Sequence, residues 1–212
     1  MDEGAVMKFQ NIAGAASLDF INTLDNRPIP ERNKELLHSY QDLADWACEA
    51  ALITSRQRTS LLRLAEDRPA AAQTVFRNAL DLRECLYRLV SAVSEGRLPS
   101  EADLHKFSGW VVAGLSCRQL RAHRADHRLE WTNADLQLES IAWAIAKSAN
   151  DLLTTADSDL IRMCDAETCR WFFLDRSKNH TRRWCDMKVC GNRAKARKFY
   201  RQKRTARWTR SP

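Results

Sequence analysis

Two pairs of cysteines with identical spacing constrain this chain more than any other feature of its sequence. Four residues separate Cys164 from Cys169 and Cys185 from Cys190, and 15 residues lie between the two pairs. Short pairs joined by a connecting segment supply the four thiolates of a tetrahedral zinc site. Because four thiolates leave zinc no open position for water, such a site is structural and not catalytic. The pattern predicts one structural Zn²⁺ bound by these four side chains.

The same cysteines allow two other interpretations, disulfide bonds and unlinked thiols. Disulfides are typical of exported chains, but the first residues show no basic segment followed by the apolar stretch of a signal peptide. Unlinked thiols would explain Cys48, Cys85 and Cys117, but not two equal spacings in one short region. No uninterrupted apolar segment approaches the ~18 residues needed to span a bilayer. We therefore expect no membrane partner and a cytoplasmic, nucleoid-associated protein.

Charge is distributed unevenly along the chain. The net charge is +7, but residues from 160 onward hold 16 Lys and Arg against 4 Asp and Glu, whereas residues 1–159 hold 18 against 23. A mildly acidic body, residues 1–159, therefore precedes a strongly basic finger, residues 160–212. This separation favours nucleic acid or another polyanion as the partner of the finger. A merely solvated charged face is the alternative.

Periodicity predicts a mainly α fold (α+β class) in which the body is helical and carries a small β-hairpin. Apolar residues recur at three- and four-residue steps from Pro69, a suitable first helical position, to Gly96. Ser39 and Ser100 are each followed three residues later by Asp, which resembles a capping box and predicts two more helix starts. Between Cys117 and Trp131 apolar and polar residues alternate, which predicts the hairpin.

Three further helices complete the predicted body. A short one begins at Ser17 as N-cap, a second covers Ser55–Glu66, and the last long helix is capped by Thr132 or Asn133. The first helix places Asp19 and Asn22 opposite its apolar residues. These polar groups either cap the helix or line a pocket for a small-molecule effector, to which Arg83 of the central helix would contribute. The capping interpretation is the simpler one.

The finger is predicted to have the order knuckle, hairpin and helix. Residues Arg170–Asp175 alternate as a strand, Ser177–His180 form a turn, and Thr181–Trp184 return as a second strand. A helix then runs from about Arg193 towards Trp208. This order fits a treble-clef-like arrangement. A unit of ~50 residues cannot bury enough apolar area to fold alone, so the metal must supply much of its stability.

Four segments resemble known families. The CGNR zinc finger is similar to three segments of this chain: Cys164-Asp-Ala-Glu-Thr-Cys-Arg-Trp-Phe-Phe-Leu-Asp-Arg-Ser177, Arg182-Arg-Trp-Cys185 and Cys190-Gly-Asn-Arg193. Leu18-Asp-Phe-Ile-Asn-Thr-Leu-Asp25 resembles the start of the ABATE domain. The resemblance implies a bacterial stress-induced transcription regulator with an N-terminal ABATE domain and a C-terminal finger that binds DNA. It also implies that the body senses a ligand or mediates assembly.

The finger and its terminal helix supply the candidate DNA contacts. Arg193 and Arg197 lie one turn apart near the start of the helix and are the first candidates for reading base edges. Six to eight phosphate contacts would make binding fall steeply with salt. The full candidate set is Arg182, Arg183, Arg193, Lys195, Arg197, Lys198, Arg201 and Arg204.

Other functions remain as alternatives at this stage. RNA is the closest alternative, because Trp171, Trp184, Tyr200 and Trp208 are able to stack on unpaired bases. In a third class, the basic helix docks on an acidic protein. The body contains no glycine-rich phosphate loop, nucleophile elbow or His-Glu-x-x-His motif, so we expect no enzymatic activity. A homodimer would help a regulator to read paired half-sites, although no leucine heptad marks an interface.

Overall fold

The computed structural model describes residues 9–122, 129–133 and 135–208, and the fold is mainly α, as predicted. In chain order, a short helix and a strand pair precede four consecutive helices, and two further strand pairs flank the sixth helix before the seventh. The helices are α1 (Ala16–Ile21), α2 (Tyr40–Glu49), α3 (Ser55–Asp67), α4 (Pro69–Ser94), α5 (Glu101–Ser116), α6 (Ser140–Leu153) and α7 (Asn192–Trp208). The strands form three antiparallel pairs: β1 (Leu24–Asp25) with β2 (Lys34–Glu35), β3 (Arg118–Ala122) with β4 (Leu129–Asn133), and β5 (Ile161–Met163) with β6 (Phe172–Leu174).

Local signals placed several helices correctly. The hydroxyl oxygen of Ser39 accepts a hydrogen bond from the backbone N–H of Asp42, and Ser100 accepts one from Asp103, each at 3.1 Å. Pro69 is the first residue of α4. The helix predicted from Ser55 is also confirmed, and Thr54, which the sequence analysis did not name, caps it through a reciprocal capping box with Gln57. The predicted hairpin is confirmed, with Leu120 opposite Trp131, and its turn lies outside the described residues.

Two predicted helix starts are wrong. Ser17 lies inside α1, and its backbone N–H donates to the hydroxyl of Ser148 on α6. Thr132 and Asn133 do not cap α6, because both pair with β3 in the hairpin ladder. Helix α6 begins only at Ser140. In each case a long-range hydrogen bond replaced the local cap that the sequence pattern indicated.

Helix α4 forms the centre of the body. Its apolar stripe is buried, as its periodicity predicted, and it contacts α1, α2, α3, α5, α6 and β5. Phe20 of α1 packs on Trp46 of α2 with ring centroids 5.1 Å apart. The same buried cluster continues into the finger through Phe172 and Cys164. Among the described residues, no helix is both long and apolar enough to cross a bilayer.

Candidate metal centre and basic helix

The first cysteine pair lies on a tight turn that follows β5. The backbone N–H of Cys164 donates to the carbonyl of Trp171 at 2.8 Å, and that of Cys169 donates to Ala166 at 2.9 Å. Arg170 then adopts φ of 59°, in the left-handed region, and this reverses the chain into β6. These contacts point both sulfurs into the same small volume.

The second pair is held by a clamp and a turn. Arg182 donates from its guanidinium to the carbonyl oxygens of Trp184 and Cys185, and the guanidinium lies over the Phe173 ring at 4.5 Å from the centroid. A single π-helical turn, Met187–Gly191, then brings Cys190 back to Cys185. Gly191 is buried in this turn, where an added Cβ would overlap the sulfur of Met187. That sulfur belongs to a flexible, exposed side chain, so a larger residue at this position would displace Met187.

The four sulfur atoms have the spacing that a tetrahedral metal needs. All four side chains are buried, and their sulfurs lie within 4.8 Å of one another. The Cys169–Cys185 and Cys185–Cys190 sulfur pairs are 3.6 and 3.8 Å apart. A tetrahedron with metal–sulfur bonds of about 2.3 Å has edges of about 3.8 Å. The quartet therefore fits a metal ion, and four sulfur donors suit zinc best, with iron as the other common occupant.

Without a metal, the four thiols of the quartet do not all ionise, because the pKa of Cys164 is lowered whereas those of the other three are raised. Hydrogen bonds from Cys169 and Cys185 lower the pKa of Cys164 to about 2, and the bond to Cys164 raises the pKa of Cys169. Like charges at this separation oppose one another. Four ionised sulfurs in this buried volume therefore require a cation among them.

One strand pairing predicted for the finger is wrong. β6 pairs with β5, with Met163 opposite Phe172, and residues 181–184 are irregular. The buried carboxylate of Asp175 explains the difference. It accepts hydrogen bonds from the backbone N–H groups of Ser177 and Arg182 and so closes a loop where a hairpin was expected.

The finger is attached to the body by a contact that we call the joint, formed by Asn22 and Asp25 with Trp171 and Phe172. The side-chain amide of Asn22 donates to the Phe172 carbonyl at 2.9 Å and accepts from the Phe172 N–H at 3.0 Å. The indole N–H of Trp171 donates to Asp25 at 2.9 Å. Residues about 150 positions apart are thus hydrogen-bonded, and no local sequence signal marks these pairs.

A cavity of about 240 Å³ runs along the joint. The body contributes Asp25 and Lys34 to its lining, and the finger contributes Trp171, the metal-site cysteines except Cys164, and Arg193. A negatively charged metal–thiolate centre is stabilised by nearby cations. Lys34 and Arg193 line this cavity with three of the cysteines, and so do the carboxylates of Asp25 and Asp186.

The three residues proposed for an effector pocket all have structural partners. Arg83 forms ion pairs with Glu35 at 2.5 Å and with Glu84 at 3.2 Å, and it also donates to Thr23. Asn22 belongs to the joint. Asp19 accepts a hydrogen bond from the Ala13 N–H at 2.9 Å. These bonds correspond to the simpler interpretation, in which the polar groups tie the first helix to its surroundings.

Asp19 gives a pH-dependent prediction. Burial raises its pKa to about 6, against the opposing effect of the hydrogen bond from Ala13. The folded state therefore binds a proton that the unfolded state releases near pH 4, so this group's contribution to stability falls as pH rises from about 4 to about 6. Asp19→Asn should remove that fall and raise the free energy of unfolding at pH 7.5 by up to about 3 kcal/mol. Urea unfolding at several pH values measures it.

The exposed Asp81→Asn variant is the matched control for Asp19→Asn. It removes the same charge from a solvated position and should leave the pH profile of stability unchanged. A profile of Asp19→Asn that coincides with that of the wild type would contradict the predicted role of burial.

Helix α7 carries eight Lys and Arg and no Asp or Glu. Arg193 and Lys195 in its first turn are exposed. Arg197 forms an ion pair with Glu167 at 3.5 Å, so it is less available than Arg193. Exposed Arg201 lies further along, and the side chains of Lys198 and Arg204 lie outside the described residues.

The other two candidate DNA contacts are engaged within the finger. Arg182 is the clamp described above. Arg183 donates to Asp165 at 2.6 Å and lies over the Trp184 ring at 5.2 Å from the centroid. Both arginines therefore shape the metal centre, and the sequence pattern alone does not reveal this role.

Comparison with known families agrees with this architecture. The CGNR zinc finger profile matches residues 161–203. The ABATE profile, described as "Putative stress-induced transcription regulator", matches residues 14–156. No curated protein matches the chain. The two profiles confirm the resemblance noted from the sequence segments.

Proposed function

We propose that this chain, which belongs to the ABATE family and ends in a CGNR zinc finger, is a zinc-dependent DNA-binding protein that regulates transcription. The finger contacts DNA through α7, and one Zn²⁺ bound by the four cysteines holds the start of that helix. The body senses a ligand or mediates assembly. No catalytic role is part of the proposal.

One observation supports DNA binding above the others: an unbroken cationic helix begins directly at the metal centre. Cys190 lies in the π-helical turn, and Arg193 and Lys195 follow in the first turn of α7. The side chains of Arg193 and Lys195 have no hydrogen-bond or ion-pair partner among the described residues. Such cations are free to replace the counterions of a phosphate backbone. The clamp and the turn fix the direction in which they project.

Binding to duplex DNA should therefore depend steeply on salt. Six to eight phosphate contacts predict a slope of log Kd against log salt of about 5 to 7. Arg193→Ala together with Lys195→Ala should reduce that slope by about 2 and weaken binding about tenfold or more near physiological salt. Fluorescence anisotropy with a labelled duplex over a salt series measures both quantities.

The matched control removes two positive charges from the body. Arg56→Ala together with Arg63→Ala changes exposed arginines of α3 and lowers the net charge equally. It should leave the affinity and the slope close to those of the wild type. Equal losses in both double variants would mean that binding follows net charge alone and would contradict a role for α7.

RNA is the second candidate partner, and exposed aromatic residues favour it. Phe199 and Tyr200 are exposed on α7, and Lys203 lies 4.7 Å from the centroid of the Phe199 ring. Aromatic side chains beside cations stack on unpaired bases. Trp171 supports this alternative less well, because its indole is engaged in the joint. Competition between duplex DNA and structured RNA decides between them.

A protein-interaction role is the remaining alternative. The basic helix would then dock on an acidic protein, and the chain would show no affinity for either nucleic acid at physiological salt. Measuring zinc in the same sample separates this outcome from an unfolded finger, because a metal-loaded finger without nucleic-acid affinity keeps the metal centre and changes only the partner.

A further inference from the structure

Helix α5 leaves one apolar face uncovered. Its other face packs on α4 and α6 through Phe107 and Gly114, which are buried. On the uncovered face, Val112 is 64% exposed, Leu115 56% and Leu104 39%. We call Leu104, Ser108, Val112 and Leu115 the α5 stripe. Its steps of four, four and three residues place its members on one side of a helix.

Further exposed apolar side chains lie close to the stripe in the sequence. Five of the ten large apolar side chains exposed in the described part of the chain fall within residues 104–129. They include Leu120 and Leu129 on the hairpin, whose first strand is exposed along most of its length. An isolated two-stranded hairpin is only marginally stable in water. Exposed apolar side chains concentrated in one part of a chain are typical of an interaction surface.

The order of residues along α5 identifies the partner. Glu101 begins the helix and Arg118 follows its end, and both stand equally far from a point between Gly109 and Trp110. Leu104 and Leu115 are placed symmetrically about the same point. Two copies of this helix packed antiparallel would therefore bring Leu104 of one against Leu115 of the other on both sides of the midpoint, with opposite charges together at both ends. A twofold interface requires this self-complementarity.

Two further features suit an antiparallel pair. Ser108 and Gly109 near the midpoint are small and exposed, and nothing lies within 4 Å of a Cβ built on Gly109. Small residues at a crossing point let two helices approach closely. Beside the stripe, a cavity of about 270 Å³ between α5 and α6 is lined by Val111, Leu115 and Trp143. It offers room for an apolar side chain from the other copy.

We propose that the α5 stripe is the interface between two copies of this chain, packed antiparallel about a twofold axis near Gly109. The proposal does not depend on nucleic-acid binding. If α7 does bind DNA, the pair presents two basic helices related by a twofold axis, which matches a palindromic site.

The oligomeric state of the full chain in solution tests the proposal. Sedimentation equilibrium across about 1–100 µM should show a monomer–dimer transition. Val112→Glu adds a charge at an exposed position, so folding should be retained, and it should weaken the dimer at least about tenfold because two like charges enter the interface. Leu98→Glu, at a residue 94% exposed outside the stripe, should leave the transition unchanged.

A charge swap tests the antiparallel arrangement itself. Glu101→Arg should weaken the dimer by placing two arginines together, and adding Arg118→Glu should restore it. A wild-type chain that remains monomeric at about 100 µM, or a dimer that Val112→Glu does not weaken, overturns the proposal. A dimer that the swap fails to restore overturns the antiparallel packing. These measurements involve no nucleic acid, so their failure is distinct from failure of the proposed function.

Discussion

Cys190→Ser is expected to weaken metal binding by at least about 100-fold and to destabilise the whole chain. Structural zinc sites contribute about 10–16 kcal/mol of apparent binding energy. If the four ligands share this energy equally, loss of one costs about 3 kcal/mol, which lowers the metal affinity at least about 100-fold. The buried cluster runs from the body through Phe172 to Cys164. Loss of the metal should therefore lower the melting temperature of the body as well as that of the finger.

The matched control for this variant is Cys117→Ser. Cys117 is a half-buried free thiol at the end of α5, outside the quartet. The control should keep its metal and melt close to the wild type. Metal content by plasma emission spectrometry and thermal unfolding by circular dichroism give the two readouts.

The same measurement identifies the ion and tests the interpretation of the quartet. We expect close to one zinc per chain in reduced protein, and a chelator should reproduce the melting behaviour of Cys190→Ser. Iron in place of zinc would keep the geometry and change the cofactor. A wild-type chain without metal and with an unchanged melting temperature would contradict a metal centre at these cysteines.

Features that depend on neighbouring residues were predictable from the sequence. Ser39 and Ser100 bond to backbone groups three residues away, and Pro69 needs only its own fixed φ to start a helix. The four cysteines belong to the same class, because short spacings bring each pair together on its own turn. The family profiles then agree with a motif that such spacing had already singled out.

Features that depend on distant partners were not predictable in this way. The carboxylate of Asp175 closes a loop onto Arg182, so β6 is free to pair with β5 on the other side of the first knuckle. Thr132 has the chemistry of a helix cap, but its backbone is used by the hairpin ladder. Each residue has one backbone donor and one backbone acceptor, and the tertiary fold determines whether they bond to a local cap or to a distant strand.

The candidate DNA contacts show the same division. Composition identified the basic helix, and Arg193 and Lys195 are exposed there as the pattern indicated. Composition did not distinguish them from Arg182 and Arg183, which are bonded within the finger. An arginine in a sequence is equally suited to a phosphate, a carbonyl or an aromatic face. Only the fold assigns each one.

Asn22→Ala is expected to weaken the joint and to lower the stability of the chain by about 2–6 kcal/mol. The substitution leaves both the N–H and the carbonyl of Phe172 without their Asn22 partner in a buried position. Each unsatisfied buried backbone group costs about 1–3 kcal/mol. For a chain of this length each kcal/mol corresponds to a shift of about 2–4 °C in melting temperature.

The matched control is Asn179→Ala, which truncates an exposed asparagine in the loop after β6. Its melting temperature should remain within about 1–2 °C of the wild type, because surface substitutions cost little. Urea unfolding supplies the free energies, and the metal content of each variant is measured in the same preparations.

The metal content of Asn22→Ala distinguishes two ways in which body and finger depend on one another. No cysteine of the quartet bonds to Asn22, and the turns that carry them are closed by hydrogen bonds within residues 164–191. We therefore expect Asn22→Ala to keep its metal while losing stability. Cys190→Ser, by contrast, should leave the joint intact and weaken metal binding. Loss of metal together with stability would mean that the joint itself holds the quartet in place. Stability within about 0.5 kcal/mol of the wild type would contradict a buried amide pair at this contact.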